Sequence, residues 1–215
     1  MLIASESLWL AQTNCYLLAS ETATGTALAV DAPPDPAAIA RLAGRHGLMV
    51  TALLVTHGHI DHAGGAGAVR RATGAAVYVH RDDDYLTLDP YAQLRSLLGM
   101  VPPGDFDPPE EIVDLHHGQR LNLAGIEVEV RHTPGHTPGH CCFYLPAEEI
   151  LMSGDQLFRG SVGRTDLPGG NWEDLLASMS GQVLTLPDSV RVLPGHGPET
   201  TVGLERASNP FLAGL

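Results

Sequence analysis

The segment Thr56-His57-Gly58-His59-Ile60-Asp61-His62 directly follows the apolar run Leu53-Leu54-Val55, so three imidazoles and a carboxylate fall within six positions at the end of a buried strand. A strand that breaks into a Gly-punctuated turn points alternate side chains to one side. His57 and His59 can then grip one ion while Asp61 and His62 turn toward a second. Any fold open to this chain must bring further ligands to that strand end, and the downstream sequence offers them. His136 stands in Thr133-Pro134-Gly135-His136-Thr137, Asp155 follows Met152-Ser153-Gly154, and His196 stands in Pro194-Gly195-His196-Gly197. Prolines and glycines beside them suit tight loops at strand ends, where α/β proteins place their sites.

Strand and helix patterns alternate along the chain. Leu8-Trp9-Leu10, Cys15 to Leu18, Ala27 to Val30 and Met49 to Val55 read as strands, with a turn at Ala23-Thr24-Gly25 and another at Asp31-Ala32-Pro33-Pro34. Asp35-Pro36 opens a helix through Arg45, with Asp35 as N-cap, Pro36 at the first helical position and Gly47 beyond the end. A small-residue helix over Gly67 to Ala72 and a strand over Ala76 to His80 follow. Arg81 to Glu111, rich in proline around one helix at Tyr91 to Leu98, reads as an insertion over one edge. Beyond it, Ile112 to Leu115, Arg120 to Leu123, Ile126 to Val130, Cys141 to Leu145, Ile150 to Ser153 and Val190 to Leu193 read as strands, and Trp172 to Met179 as a helix.

With 215 residues, 44% of them hydrophobic, the chain can bury one sizeable core, and nothing divides 1–215 into more than one domain. Its 25 acidic residues outweigh 12 basic ones, all Arg, for a net charge of -13. Such a surface repels phosphate backbones and anionic lipid, which argues against nucleic-acid and membrane partners. The three cysteines, two adjacent as Cys141-Cys142, do not make a disulfide framework and read as buried thiols of a reducing compartment. No basic n-region precedes a long apolar run near Met1, so a cytoplasmic protein is expected.

The motif series His57-Gly58-His59-Ile60-Asp61-His62, His136, Asp155, His196 resembles the metallo-β-lactamase superfamily over nearly the whole chain, and within it the short glyoxalase II-like (hydroxyacylglutathione hydrolase-like) bacterial branch. The resemblance implies an α/β fold, a four-layered αβ/βα sandwich of two mixed sheets flanked by helices. It also implies a dinuclear site, with His57, His59 and His136 on metal 1, Asp61, His62 and His196 on metal 2, and Asp155 bridging. Gly160-Ser161-Val162-Gly163-Arg164-Thr165-Asp166 is similar to a loop of those short proteins and of persulfide dioxygenases. There Arg164 either binds a substrate carboxylate or locks its own loop through Asp166. The longer glyoxalase II enzymes take glutathione with basic residues of a C-terminal helical domain. Here 19 residues follow His196 and there is no Lys, so a different mode of thiol recognition is expected.

Two divalent ions about 3.5 to 4 Å apart share a water and bring its pKa toward 7, so no protein nucleophile is needed. A thiolate, with a pKa near 8.5, leaves readily, which makes thioester hydrolysis an undemanding use of such a site. Zn is the expected metal, with Fe or Mn as alternatives. Three functions compete: a dinuclear thioesterase in which Asp61 and Asp155 are essential, acting on a small-molecule substrate; a mononuclear Fe(II) persulfide dioxygenase using His57, His136 and Asp155; and a non-catalytic metal-binding domain. A homo-oligomer is left open. His132 and His140 flank His136 and read as packing residues with a possible supporting role, and His80 as a surface residue near the site. His46, His116 and His117 read as solvated, and Asp82-Asp83-Asp84 as carboxylates favourably placed at a helix N-terminus.

Overall fold

The computed structural model describes residues 1–215, apart from the side chains of residues 97 and 98. The first half of the chain builds one six-stranded sheet from β1 (Leu2–Leu8), β2 (Thr13–Ala19), β3 (Thr26–Val30), β4 (Met49–Leu54), β5 (Ala76–Val79) and β6 (Val113–Asp114), in that order. The β1–β2 and β2–β3 pairs are antiparallel, and β3 through β6 run parallel. Helices α1 (Pro36–Arg45), α2 (Ile60–Ala63), α3 (Ala66–Thr73), α4 (Asp84–Thr87) and α5 (Pro90–Leu98) fall within this half. As the sequence predicts, the Asp35 carboxylate caps α1, accepting from the Ala38 amide at 3.0 Å.

The second half mirrors it with β7 (Arg120–Leu123), β8 (Ile126–His132), β9 (Cys141–Leu145) and β10 (Ile150–Gly154), a small hairpin of β11 (Leu157–Phe158) and β12 (Ser161–Val162), then helix α6 (Trp172–Ser178), β13 (Arg191–Pro194), β14 (Thr200–Thr201) and helix α7 (Val202–Ser208). The second sheet has the order β14-β13-β10-β9-β8-β7, with β10 and β13 its parallel pair.

The period-two alternation of the central strands explains why two sheets and two helical layers stack. Tyr16 and Leu18 of β2 join Leu28, Val30 and Leu54 against Val128, Val130, Phe143 and Met152 of the other sheet. Cys15 and Leu17, one position out of phase, face Ile39 and Leu42 of α1 and Val69 of α3. Cys142 and Leu151 turn to the far side and meet Leu175 of α6, Met179 just beyond its end and Val202 of α7. The result is the four-layered αβ/βα sandwich. Among the described residues no helix is long and apolar enough to cross a membrane. All three cysteines are buried and unpaired.

Some elements differ from expectation. The first strand lies upstream of Leu8-Trp9-Leu10: Trp9 takes a left-handed φ of 60° and closes the β1–β2 turn through its carbonyl, which accepts the Gln12 amide at 3.2 Å. Its indole donates instead to the Pro103 carbonyl at 2.9 Å and packs edge-on against Phe106. The insertion does more than cover an edge, because Leu94 and Phe106 bury Ile60 of the histidine motif. Hairpin β11–β12, strand β14 and helix α7 are short elements that the sequence reading passed over.

Candidate metal centre

The ends of β4, β10 and β13, with the loop joining β8 to β9, converge on one edge of the sandwich, and all seven sequence-predicted ligand residues meet there. His57 Nε2, His59 Nδ1 and His136 Nε2 form a triangle with sides of 3.1, 2.8 and 3.1 Å. Their protons lie elsewhere. His136 Nδ1 is 2.7 Å from the Arg164 carbonyl, which can only accept, so in the neutral ring Nε2 carries the lone pair. The Thr56 hydroxyl donates to Asp31 Oδ2 at 2.9 Å and therefore accepts from His57 Nδ1 at 3.1 Å, which again leaves Nε2 as a lone pair. Burial, then the neighbouring imidazoles, push His57 well below the usual histidine range; burial, then His136, take His59 down to about 3. Burial keeps His57 and His59 neutral, and the lone pairs that these two rings and His136 can turn toward one point are what a cation would satisfy.

The second triangle is Asp61 Oδ2, His62 Nε2 and His196 Nε2, with all three sides 3.3 Å. Ligand atoms of a tetrahedral ion with bonds of about 2.0 to 2.1 Å stand roughly 3.3 Å apart. Asp155 lies between the triangles: Oδ1 is 3.3 Å from His62 Nε2, and Oδ2 is 3.5 Å from His196 Nε2 and 3.6 Å from His136 Nε2. Buried Asp155 Oδ1 has no hydrogen-bond partner among the described residues, an orphaned acceptor that an ion fits. Burial alone would lower His62, but the carboxylates of Asp61, Asp155 and Asp31 overcome it and hold this imidazole well above its usual range. Burial likewise opposes ionisation of Asp61 and Asp155, but His62 together with His196 and the other neighbouring partners outweighs it, keeping both carboxyls well below the carboxylate range. The donor set and its spacing therefore fit two metal ions.

Several residues without ligand atoms in the triangles fix this geometry. Asp31, read from the sequence only as part of a turn, accepts from His62 Nδ1 at 2.8 Å and from the Thr56 amide at 2.8 Å, so one buried carboxylate orients a histidine of each triangle. Its φ of 60° aims the side chain back under the motif. The run Asp82-Asp83-Asp84 does lie at helix starts, as expected, but Asp83 has a further role. It is fully buried, and its oxygens accept from the Gly58 amide, the Thr137 hydroxyl and the Gly139 amide at 2.8, 2.7 and 2.7 Å. It thus clamps the His57–His59 turn to the His136 loop. Glycine is needed at both contacts, since a Cβ on Gly139 would lie 2.7 Å from the Asp83 carboxyl carbon and one on Gly58 2.9 Å from the Asp83 carbonyl oxygen.

His140 Nε2 accepts the Asp155 amide at 3.1 Å, and its Nδ1 meets the Thr133 hydroxyl at 2.8 Å, which makes it a brace for Asp155. His132 and His80 stay behind the site, stacked at 4.0 Å with planes 8° apart. Parallel rings send their lone pairs along parallel lines, so this pair is poorly built to share an ion; His132 Nε2 donates to the Pro138 carbonyl at 2.8 Å. His80 is buried rather than superficial, whereas His46, His116 and His117 are exposed as expected.

Arg164 forms the internal lock of the two uses the sequence leaves open: Nε and Nη2 donate to the two Asp166 oxygens, each at 2.7 Å. The loop is pinned from beneath, because buried Glu205 accepts the Gly160 amide at 2.8 Å and Asn209 donates to the Ser161 carbonyl at 3.0 Å. The cleft above the triangles measures about 480 Å³, and Trp9, Arg164 and Leu167 join the ligand residues in lining it.

The profile of the metallo-beta-lactamase superfamily matches residues 8–196. A probable metallo-hydrolase of Bacillus subtilis, YqgX, is 38% identical over 95% of this chain and 94% of its own length. The hydroxyacylglutathione hydrolase GloC of Haemophilus influenzae is 36% identical over 77% of each chain. Among solved structures, the BLEG-1 B3 metallo-beta-lactamase superposes with a TM-score of 0.89 at 37% identity, covering 99% of this chain and 100% of its own. TTHA1623, in a di-iron-bound form, superposes with a TM-score of 0.86 at 38% identity over 97% and 100%. By sequence, fold and donor set, the chain belongs to the metallo-beta-lactamase superfamily, and its relatives there include metallo-hydrolases.

Proposed function

We propose that the chain is a dinuclear metallo-hydrolase of small-molecule thioesters. His57, His59 and His136 would hold one ion and Asp61, His62 and His196 a second, with Asp155 placed to serve both. Zn is the first choice of metal, since imidazole and carboxylate donors in tetrahedral spacing suit it, while the di-iron form of TTHA1623 keeps iron in view. Two divalent ions held there supply hydroxide at neutral pH and polarise a bound carbonyl.

One observation carries the choice of substrate. Among the described residues, every acid or base lining the cleft belongs to one of the two triangles (His59, Asp61, His136 and His196) or lies between them (Asp155), and the remaining charged wall residue, Arg164, is tied to Asp166. No side chain is left to protonate a poor leaving group. A thiolate needs no such proton, whereas an amine does, so a thioester fits this cleft better than an amide. The likeness to a hydroxyacylglutathione hydrolase points the same way.

The protein's own residues then have defined tasks. Asp31 and the Arg164 carbonyl accept from Nδ1 of His62 and His136, which turns Nε2 of both rings toward the cleft. His140 steadies Asp155 through its amide. Trp9 walls the cleft on the β1–β2 side. The preformed Asp61–His62–His196 triangle favours this reading over a mononuclear Fe(II) oxygenase built on His57, His136 and Asp155, which would leave three converging donors unused.

The test is anaerobic turnover of an acyl thioester by the Zn-loaded protein, set beside oxygen uptake by the Fe(II)-loaded protein with a glutathione persulfide. Hydrolysis without O2 is expected. Activity confined to the iron form, with O2 consumed and thioesters untouched, would overturn the proposal.

A further inference from the structure

Beside the metal cleft, between helices α4 and α5 and the Leu167-Pro168 stretch, lies a recess of about 170 Å³. It shares two wall residues, His59 and Leu167, with the cleft, so the two spaces adjoin across a metal-1 histidine. The Tyr85 hydroxyl reaches the Pro168 carbonyl at 3.4 Å and roofs it.

The walls are mostly apolar. Leu86, Ala92, Leu167, Pro168 and the Tyr85 ring are apolar, Ser96 and His59 add a hydroxyl and a ring, and among the described residues no Asp, Glu, Lys or Arg lines the recess. Gln93 is spent on the backbone: its Nε2 donates to the Gly58 and Leu86 carbonyls at 2.8 Å each, and its Oε1 accepts the Ile60 amide at 3.1 Å. A charged or peptide-bearing group entering here would lose its hydration with little in return, whereas an alkyl chain would gain from leaving water.

We propose that this recess is the acyl subsite and that it seats an uncharged aliphatic acyl chain of about four to six carbons, since a 170 Å³ space admits about five groups of ~30 Å³ each. The inference rests on the thioesterase reading. The reacting carbonyl sits over the two triangles, the alkyl arm passes His59 into the recess, and the thiol carrier, with its polar groups, lies in the open cleft beside Arg164 and His196.

Two measurements test it on the Zn-loaded protein. The first is kcat/KM for acetyl, butyryl, hexanoyl and decanoyl thioesters of one simple thiol. The second is calorimetric Kd for acetate, butyrate and hexanoate, which needs no turnover. Each added methylene up to hexanoyl should raise kcat/KM and tighten binding by up to about fourfold, with no further gain at decanoyl. Ala92→Phe fills the inner part and Ser96→Leu the outer part of the recess; each should bring the hexanoyl-to-acetyl ratio to within about twofold of one, in both measurements. Zn content and melting temperature identify a variant that has failed to fold, and the other then decides. If no thioester is cleaved but affinity still climbs with carboxylate length in the wild type and not in the variants, the recess stands and the thioesterase reading falls. A flat wild-type affinity series, or variants that keep the wild-type slope, overturns the recess.

Discussion

The Thr137 hydroxyl donates to Asp83 Oδ2 at 2.7 Å, a contact between the loop that carries His136 and a carboxylate 54 residues upstream. The same carboxylate holds the Gly58 and Gly139 amides, so both sides of the first triangle hang from one residue of the insertion. Asp83→Ala leaves two amides and a hydroxyl without their acceptor, at about 1–3 kcal/mol for each group that water cannot reach. We expect a loss of at least about 2 kcal/mol of stability in urea titrations of the Zn-free protein, and roughly 10- to 100-fold weaker Zn binding by chelator competition. A wild-type urea midpoint together with wild-type Zn affinity would contradict the clamp.

Asp155 and Asp61 should differ in what they cost when removed. Asp155 oxygens lie within 3.6 Å of donor nitrogens in both triangles, whereas Asp61 Oδ2, which also accepts from the Thr13 hydroxyl at 2.7 Å, meets ring nitrogens of the second triangle alone, those of His62 and His196. Asp155→Ala should lower the metal content of both positions and abolish turnover; Asp61→Ala should empty mainly one. Metal-to-protein ratios after reconstitution, measured by atomic emission, give the ranking, and equal losses in the two variants would refute it.

Proton balance supplies a third expectation. His62 and His196 are held above the histidine range, against the lowering effect of burial, by neighbouring carboxylates. In the metal-free protein their contribution is complete below the unfolded pKa of about 6.5 and is lost as pH rises through their folded values. His57 and His59 are held below that range chiefly by burial, so theirs is present above about 6.5 and is lost as pH falls. The metal-free melting temperature should therefore peak near neutrality. Zn uptake at pH 7 should expel protons from His62 and His196, seen as calorimetric heats that change with buffer ionisation enthalpy. Heats independent of the buffer would show both rings already neutral.

Two glycines offer a paired comparison. A Cβ on Gly163 would stand 1.8 Å from the Asp155 carbonyl oxygen and 3.2 Å from His136 Nδ1, while one on Gly44 in α1 meets nothing within 4 Å. Gly163→Ala should cost about 1–3 kcal/mol and weaken metal binding, and Gly44→Ala should gain about 0.5–1 kcal/mol from helix propensity. Thermal melts of the two variants separate the effects; equal shifts would mean that the Gly163 loop yields without strain.

The clustering of the candidate ligand residues was legible because a metal site concentrates rare residue types at short spacing, and the layers because apolar strands of period two are hard to mistake. Asp31 was not legible as a site residue, since a lone Asp at a strand end looks like any turn residue and its role depends on His62, 31 positions away. The further role of Asp83 was hidden for a related reason: local sequence shows the start of a helix, whereas burial comes from two distant glycine turns folding over it. Trp9 looked like a strand residue because aromatics favour strands, yet its side-chain contacts with Pro103 and Phe106 accompany a left-handed turn. The β11–β12 hairpin, with two residues per strand, is too short to show any periodicity.

Each triangle draws on both halves of the chain. His57 meets His136 across 79 residues and His62 meets His196 across 134. Loops of that length close late in folding, because chain entropy must be overcome before the contact rewards it. A nascent chain that has released only its first sheet owns half of each ion's grip and can hold neither ion firmly. Ions held at these triangles would thus be selected by a finished fold rather than used to start one, and a chain found carrying both would certify that its two sheets have docked.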